Sequence, residues 1–438
     1  MNKNSLKVYM IGVLGAGMCP LAKLLLIKGF NVSGSDIKAN NNLEELKKLG
    51  LNFYSSHQKE NVKDSDIVIY SSAIDKLNPE LVEAYKLNKA VYSRAQVLQV
   101  IINCYKKSIG ISGTHGKTTT SSMLTNLMAN YNISCTSIIG GFDNKFGDIR
   151  YSKELKNIVV EVCEFDKNIY KISTNISVCL NIDNDHLNSY ADFDELKSAF
   201  YSFLDRAKYK FVNVDDESLK NYHSKNVTYF GIKNNCEFMA KNLTSNGGKY
   251  SFDLYEKGVF IKRISLNIYG LHNVYNALAV ISVLRKIYKI DFRFLDEYIS
   301  EFSGVKGRFE HICNYKNKQI YCDYAHHPTE IRALVKTLKE RFNNDYLLIF
   351  QPHTYSRTKM LINDFILAFK GEKVIVYKEY KAREEFDYLG SSSYLAEKLN
   401  AVYIDDISKL ISKINRSKKN NVIIIGAGDL KEEILKKN

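Results

Sequence analysis

Residues 107–120 read KSIGISGTHGKTTT, an apolar run followed at once by a glycine-rich turn and a polar stretch. The run Lys107 to Ser112 has the length and apolarity of a buried strand, and residues 121–129 continue as a helical pattern. In the turn, glycines let backbone N–H groups close around phosphates, Lys117 neutralises phosphate charge, and Thr118 is placed to bind Mg²⁺. Strand, turn and helix in this order predict an ATP site on an α/β sheet.

The phosphate loop departs in one respect from the common Walker spacing, because Ile111 stands where that motif has its first glycine. The competing interpretation, a glycine turn with a solvated lysine, is less favoured because strand, turn, lysine and helix occur together. The residues predicted to bind ATP here are Gly113, Thr114, His115, Gly116, Lys117, Thr118 and Thr119.

A second glycine loop, GVLGAGM at residues 12–18, follows the first strand-like run of the chain. Asp36 ends the next strand-like run, in the sequence SGSD. Glycines at such a position allow the backbone to approach a diphosphate at a helix N-terminus. The pattern alone also fits a dinucleotide, a nucleotide sugar or tight strand-to-helix packing, so it does not name the ligand.

Strand-like and helix-like stretches alternate along the whole chain, which is typical of open parallel α/β sheets. The chain has 438 residues, more than one hydrophobic core usually organises. New α/β units begin near residues 105 and 305. The sequence therefore predicts an α/β protein with three domains, 1–105, 106–304 and 305–438.

Acidic and histidine side chains follow two predicted strands of the middle unit. Glu161 ends the run Asn157 to Glu161, and Asp185 and His186 follow the run Ile176 to Asn181. Carboxyl ends of parallel strands meet at one edge of a sheet, so we expect these groups to face the phosphate loop. Carboxylate and imidazole groups there suit a Mg²⁺ ion that bridges ATP phosphates, although a lone histidine is more often structural.

Composition argues against several other classes of protein. The formal charge is +14, yet the 62 Lys and Arg are spread without a basic block, so nucleic acid is not an expected partner. Apolar runs have strand length, so membrane insertion is not expected. Eight cysteines without a C-x-x-C pair predict reduced thiols. The N-terminus does not resemble a signal peptide, so a cytoplasmic location is expected.

The order of motifs along the chain resembles the Mur ligase family. These motifs are G-x-x-G-x-G-M, GTHGKTTT, E-x-C-E, NIDNDH, H-N-x-x-N, GRFE, DYAHHP and FQPHTYSRT, spread over residues 12–358. The histidine of GTHGKT, HHP and FQPH are closest to the member that adds L-alanine. The resemblance implies an ATP-dependent ligase that joins L-alanine to UDP-N-acetylmuramate through an acyl phosphate, with Mg²⁺ (or Mn²⁺), as a monomer or homodimer.

The resemblance also implies three domain roles and a set of site residues. Residues 1–105 would form a Rossmann-like domain for the UDP moiety, 106–304 the P-loop-type ATPase domain, and 305–438 a Rossmann-like ligase domain. Lys117, Glu161 and His186 would be catalytic, and Thr118, Glu161 and His186 would hold the metal. Further ATP contacts would be Asn273, Asn276, Arg308 and Asp323. Substrate contacts would be Gly15, Gly17, Met18, Ser71, Ser72, Arg94, His326, His353 and Arg357.

Three departures from the family pattern and three rival functions accompany this expectation. Val13-Leu14 stand where a further glycine is usual, Asn188 replaces an acid, and Thr354 replaces an arginine of some members.

The nearest rival function is that of a sibling ligase that adds a peptide or another amino acid. A nucleotide-sugar dehydrogenase is the rival of another class, and it leaves GTHGKTTT unexplained. A nucleotide-binding scaffold without catalysis is the third.

Overall fold

The structure is a computed structural model that describes residues 6–40, 42–185, 189–382 and 384–437. Internal contacts divide the chain into two compact units. The first contains residues 1–239, 255–260 and 275–298, and the second contains residues 240–254, 261–274 and 299–438. Within the described ranges, every helix is either too short or too polar to span a bilayer.

The first unit begins with a five-stranded, all-parallel sheet in the order β3-β2-β1-β4-β5. Its helices begin at clear sequence signals, for example the capping box of Ser93 and Gln96 before the fourth helix. Its elements are β1 (Lys7–Ile11), α1 (Cys19–Ile27), β2 (Asn31–Ser35), α2 (Asn42–Lys48), β3 (Asn52–Tyr54), β4 (Ile67–Tyr70), α3 (Pro79–Lys86), β5 (Ala90–Ser93) and α4 (Arg94–Asn103).

Seven of the ten strands of the second sheet lie wholly in this unit, in the order β12-β11-β10-β6-β9-β7-β8, and among these seven only β8 runs antiparallel to its neighbour. Leu24 of α1 and Leu98 of α4 pack into the core of this second sheet. Its elements are β6 (Lys107–Ser112), α5 (Lys117–Asn130), β7 (Thr136–Asp143), β8 (Gly147–Arg150), β9 (Asn157–Glu161), β10 (Ile176–Cys179), α6 (Phe193–Asp205), β11 (Tyr209–Asn213) and β12 (Val227–Gly231).

Five elements contain the points where the chain passes between the two units. They are β13 (Phe238–Asn246), β14 (Lys249–Glu256), β15 (Val259–Tyr269), α7 (His272–Tyr288) and α8 (Leu295–Ser300).

The second unit contains a six-stranded sheet in the order β16-β17-β21-β18-β19-β20, parallel except for β16. Aliphatic residues of β17, β18 and β21 form its core because these strands are covered on both faces. The elements are β16 (Glu310–Tyr315), β17 (Lys318–Asp323), α9 (Pro328–Phe342), β18 (Tyr346–Phe350), α10 (Tyr355–Met360), α11 (Ile362–Ala368), β19 (Val374–Tyr377), α12 (Ser392–Lys398), β20 (Val402–Ile404), α13 (Ile407–Arg416), β21 (Asn421–Ile425) and α14 (Leu430–Leu435).

The predicted α/β class with mostly parallel sheets is confirmed, whereas the boundaries near 105 and 305 stay a prediction. Two element bounds predicted from the sequence are wrong. Helix α5 begins at Lys117 and not at residue 121, because Gly116 takes a left-handed conformation that lets the helix start directly after it. Strand β10 ends at Cys179, so residues 180–185 form a connection beyond the sheet.

Candidate active site

The phosphate loop between β6 and α5 is tied to the segment that follows β10. Gly113 and Gly116 have φ values of 135° and 87°, which side chains disfavour. The amide side chain of Asn181 accepts a hydrogen bond from the N–H of His115 at 2.8 Å and donates one to its carbonyl at 3.0 Å. The imidazole of His115 lies 3.1 Å from the carboxylate of Asp183. These contacts fix the loop backbone before any nucleotide binds.

Lys117 is held by three groups at the mouth of this loop. Its ammonium donates to the carbonyls of Gly113 and Thr114 and lies 3.1 Å from the carboxylate of Glu164. Burial alone would lower the pKa of Lys117, but the negative charge of Glu164 outweighs burial and raises the pKa above its usual range. The lysine is therefore a permanent cation at the point where phosphate charge is expected.

The hydroxyl of Thr118 donates to the carboxylate of Glu161 over 3.0 Å. The other oxygen of Glu161 accepts the N–H of Gly140 at 2.7 Å. A hydroxyl oxygen with free lone pairs beside a carboxylate forms the hard oxygen donor set that Mg²⁺ prefers, so these two residues fit the predicted ion. The third predicted ligand, His186, lies outside the described residues.

Asn276 lies against the phosphate loop from helix α7. A β-carbon added at Gly116 would come within 2.8 Å of the side-chain oxygen of Asn276, so only glycine allows this approach. The first helical turn of α5 carries the remaining loop residue, Thr119, which is half-buried. The structure therefore brings Asn276 to the loop, together with Thr118 and Glu161.

The second glycine loop is held by hydrogen bonds to the end of strand β2 and the residue after it. The N–H groups of Gly12 and Val13 both donate to the carbonyl of Ser35, at 2.9 and 3.0 Å. The N–H of Leu14 donates to the carboxylate of Asp36 at 3.1 Å. Asp36 thus holds the loop itself, a role that its spacing from the glycines did not reveal.

Arg94 lies beside the second glycine loop. Its guanidinium would be 3.1 Å from a β-carbon added at Gly17, and burial lowers the pKa of Arg94 while the nearby charges of Cys163 and Glu161 oppose this. Arg94 therefore lies beside the glycine loop and within electrostatic reach of Glu161, the carboxylate that accepts the hydroxyl of Thr118. A substrate phosphate or carboxylate at this place would meet a half-buried cation.

The other predicted substrate residues of this unit differ in whether their backbone or their side chain can contact a ligand. Gly15 accepts the N–H of Met18 at 2.9 Å, and the side chain of Met18 is buried in the core, so only its backbone can face a ligand. The N–H of Ser71 donates to Ile11 at 3.3 Å, and Ser72 is half-buried in the turn after β4.

In the second unit, two predicted ATP residues meet at the end of β17. Asp323 accepts the N–H groups of Phe309 and Ala325, at 2.7 and 2.8 Å. Burial raises the pKa of Asp323 to about 6, against the opposing charge of Arg308. Arg308 lies over the ring of Tyr324, 5.2 Å from its centroid.

The predicted substrate residues of the second unit form one neighbouring group. The rings of His326 and His353 are 5.9 Å apart, and His353 stacks on Tyr380. The guanidinium of Arg357 lies 3.2 Å from Nδ1 of His353. Asn273, which is predicted to contact ATP and not the substrate, lies at the start of α7. Its side chain donates to the carbonyl of Tyr269 at 2.7 Å.

Three residues with clear contacts in the site were given no role from the sequence. Glu164 pairs with Lys117, and Asn181 and Asp183 hold His115. Glu164 lies in the E-x-C-E motif, and the other two lie in NIDNDH. The two motifs indicated that these segments belong to the site. A motif does not show which of its residues contacts the phosphate loop.

Comparison with known proteins gives a consistent match along the chain. Sequence models described as "Mur ligase family, catalytic domain", "Mur ligase middle domain" and "Mur ligase, glutamate ligase domain" match residues 7–106, 111–284 and 307–428.

Individual relatives match over nearly their whole length. The UDP-N-acetylmuramate–L-alanine ligase of Caldicellulosiruptor saccharolyticus is 38% identical, over 97% of this chain and 96% of that protein. The enzyme of the same name from Aquifex aeolicus is 37% identical, over 98% and 97%. The crystal structure of the UDP-N-acetylmuramate-alanine ligase from Thermotoga maritima has a TM-score of 0.84 at 26% identity, with 98% of each chain covered.

Proposed function

This chain belongs to the Mur ligase family, and on that premise we propose that it joins L-alanine to the lactyl carboxylate of UDP-N-acetylmuramate. The family resemblance and the ligase class predicted from the motifs are confirmed by the relatives described above. The family is ATP-dependent, and the reaction releases ADP and phosphate in the synthesis of peptidoglycan precursors.

One observation carries the proposal at the level of residues. A phosphate loop with a half-buried lysine and the Thr118–Glu161 pair lies in the same compact unit as the second glycine loop and Arg94. We infer that a nucleotide sugar on the glycine loop directs its far end toward the terminal phosphate of ATP, because Arg94 lies beside Gly17 and within electrostatic reach of Glu161. This arrangement supports a reaction between the two ligands and not merely the binding of either.

The chemistry follows from the weak electrophilicity of a carboxylate. We infer that the lactyl carboxylate attacks the γ-phosphate of ATP, which gives an acyl phosphate and ADP, and that the amine of L-alanine then displaces phosphate. Lys117 stabilises the charge that develops on the transferred phosphoryl group, because positioning and charge neutralisation dominate such steps. The chain then needs no nucleophilic side chain of its own.

Thr118 and Glu161 are the residues proposed to hold Mg²⁺ (or Mn²⁺), together with His186, which the sequence predicts as the third ligand. Such an ion supplies charge neutralisation at the β- and γ-phosphates. The role of this chain is to place one hydroxyl and one carboxylate oxygen at the first turn of α5, where the helix N-terminus also favours anions.

The remaining assignments follow the family pattern. We propose that Asn273, Asn276, Arg308 and Asp323 contact ATP, and that His326, His353 and Arg357 face the amino acid. His353 is a candidate for the base that takes a proton from the amine. Arg357 can only donate to Nδ1 of His353, so this nitrogen carries the lone pair and must leave Arg357 before it accepts a proton. We further propose a cytoplasmic enzyme that is a monomer or a homodimer.

The decisive experiment measures ADP release from ATP with UDP-N-acetylmuramate and one of four acceptors: L-alanine, glycine, L-serine or a tripeptide. The proposal expects release that needs both the sugar nucleotide and L-alanine. Preference for the tripeptide would indicate the sibling ligase. A change in NAD(P)H absorbance without ADP would indicate a dehydrogenase, and ATP binding without turnover would indicate a silent scaffold.

A further inference from the structure

Glu164 carries a carboxylate that the reaction as described does not use. Its side chain is 1% exposed and that of Lys117 is 14% exposed, so this ion pair is largely withdrawn from water. Both carboxylate oxygens of Glu164 lie within reach of the ammonium, at 3.1 and 3.3 Å. The phenol of Tyr190 donates to the backbone carbonyl of Glu164 at 2.6 Å and holds the residue in place.

The ammonium of Lys117 has three N–H donors, and all three have partners here. Two are the loop carbonyls of Gly113 and Thr114, and the third is Glu164. A phosphate oxygen that binds Lys117 must therefore replace one of them. The carbonyls belong to the loop that surrounds the phosphates, whereas Glu164 lies on another segment and has the same sign of charge as phosphate.

We propose that Glu164 is a positioning residue that holds Lys117 in the nucleotide-free protein and gives it up to the γ-phosphate of ATP. The inference rests on the proposed function only in taking the nucleotide to be ATP. Glu164 accepts the third N–H of the Lys117 ammonium until the nucleotide binds. The ammonium is then already oriented along the loop when the exchange takes place.

The spacing of the E-x-C-E motif supports this role. Glu161 accepts the hydroxyl of Thr118, and Glu164 accepts the ammonium of Lys117. Two carboxylates three positions apart thus hold two consecutive residues of the first turn of α5. The pair at Thr118 fits a cation, while the pair at Lys117 is a preformed contact that an anion must break.

The exchange predicts an unusual effect of neutralising an acidic side chain in the site. Glu164→Gln keeps the shape of the residue but removes the charge that competes with phosphate. ATP should then bind more tightly, with a dissociation constant lowered roughly tenfold, because a hydrogen bond to an ionised partner no longer has to be broken. Glu164→Asp keeps the charge at a longer reach and should change the constant less.

The test is calorimetric titration of the full-length protein with ATP at fixed Mg²⁺, with thermal unfolding measured in parallel. The matched control is Glu237→Gln, which removes another lysine–glutamate pair of the same unit, with Lys286. This control should leave ATP affinity unchanged. In a Lys117→Met background, Glu164→Gln should no longer tighten ATP binding and should raise thermal stability, because a buried unpaired carboxylate is removed.

Weaker ATP binding by Glu164→Gln at unchanged thermal stability would overturn the proposal and would make Glu164 a direct ligand of the nucleotide or its ion. Unchanged ATP affinity in a folded Glu164→Gln protein would also overturn it. Should Glu164→Gln not fold, the Tm of the double variant Lys117→Met/Glu164→Gln is compared with that of Lys117→Met. If the double variant is not more stable, Glu164 does not pair with Lys117 and the proposal is rejected. Normal L-alanine-dependent ADP release beside a failed Glu164 test would leave the proposed function intact.

Discussion

Lys23 of helix α1 and Asp148 of strand β8 form an ion pair of 2.8 Å, and the lysine side chain has no exposed surface. A second carboxylate, Glu45, lies 2.6 Å from the same ammonium. Burial tends to lower the pKa of Lys23, but its hydrogen bonds to Asp148 and Glu45 raise it overall. The helix after the glycine loop is therefore fixed to the second sheet through a buried charge.

Lys23→Met should destabilise the protein strongly because it leaves the carboxylate of Asp148 buried without a cation. Loss of one partner of a buried pair costs roughly 3–5 kcal/mol. Thermal unfolding should show a clear fall in Tm. Lys47→Met is the control, because Lys47 forms an exposed pair with Glu44 and should change Tm little. Equal effects of the two substitutions would contradict this interpretation.

Lys117→Ala should abolish ADP formation, with a loss in kcat of roughly 10²–10³-fold or more, because it removes the main cation at the transferred phosphate. Rates are measured as ADP released with both substrates present. The structure adds that the fold will not be spared entirely, since Glu164 loses its partner. The control is Lys153→Ala, at an exposed lysine. Normal turnover by Lys117→Ala would disprove the assignment of the phosphate loop.

The sequence predicted the phosphate loop well because its elements are contiguous. The glycines, Lys117 and Thr118 act through local backbone geometry, which a motif describes directly. The bounds of α5 were wrong because the polar run after Gly116 has no apolar periodicity, and the left-handed glycine that starts the helix is visible only in the structure.

Contacts between distant segments were harder to predict. Convergence of strand ends predicted that Glu161 would face the phosphate loop, and in the structure its carboxylate accepts the hydroxyl of Thr118. Glu164 pairs with Lys117, 47 positions earlier in the chain, because of the turn that follows β9. In this turn Asp166 and Lys167 adopt left-handed conformations. Aspartate adopts this conformation more often than most residues, but nothing in the sequence pattern indicates it at a lysine.

Asn181→Ala should raise the KM for ATP roughly tenfold, because two hydrogen bonds that fix the backbone of His115 are lost. The effect on kcat should be smaller, since Lys117 and Thr118 remain. Asn213→Ala is the control: Asn213 donates to the carbonyl of Leu180 at the base of the same segment but does not touch the loop. It should lower Tm and leave KM unchanged. If both variants raise KM equally, the loop contacts of Asn181 have no specific role.

The half-buried carboxyl of Asp323 should make the second unit more stable as the pH falls. Its folded pKa of about 6 exceeds the ordinary value of 3.8, so the folded state takes up a proton first as the pH falls. This group therefore adds to the free energy of unfolding as pH falls from 7 toward 4. The Tm advantage of Asp323→Asn over the unmodified chain should shrink between pH 7.5 and 5.

The control for that measurement is Asp253→Asn. Asn242 and Arg263 lower the pKa of Asp253, so its charge does not change between pH 5 and 7.5. The Tm difference for Asp253→Asn should therefore be constant over this range. A Tm difference for Asp323→Asn that is constant, or that widens at low pH, would show that Asp323 is ionised throughout.

Thr118→Val should shift the requirement for Mg²⁺ and not only the rate. The hydroxyl of Thr118 donates a hydrogen bond to Glu161, so the lone pairs of its oxygen can face a cation. Valine keeps the shape without this oxygen, so the Mg²⁺ concentration for half-maximal ADP release should rise by about tenfold or more. Thr118→Ser should behave almost as the unmodified chain, and Thr125→Val in the same helix should show no shift. A lower rate at every Mg²⁺ concentration, with unchanged half-saturation, would place the ion elsewhere.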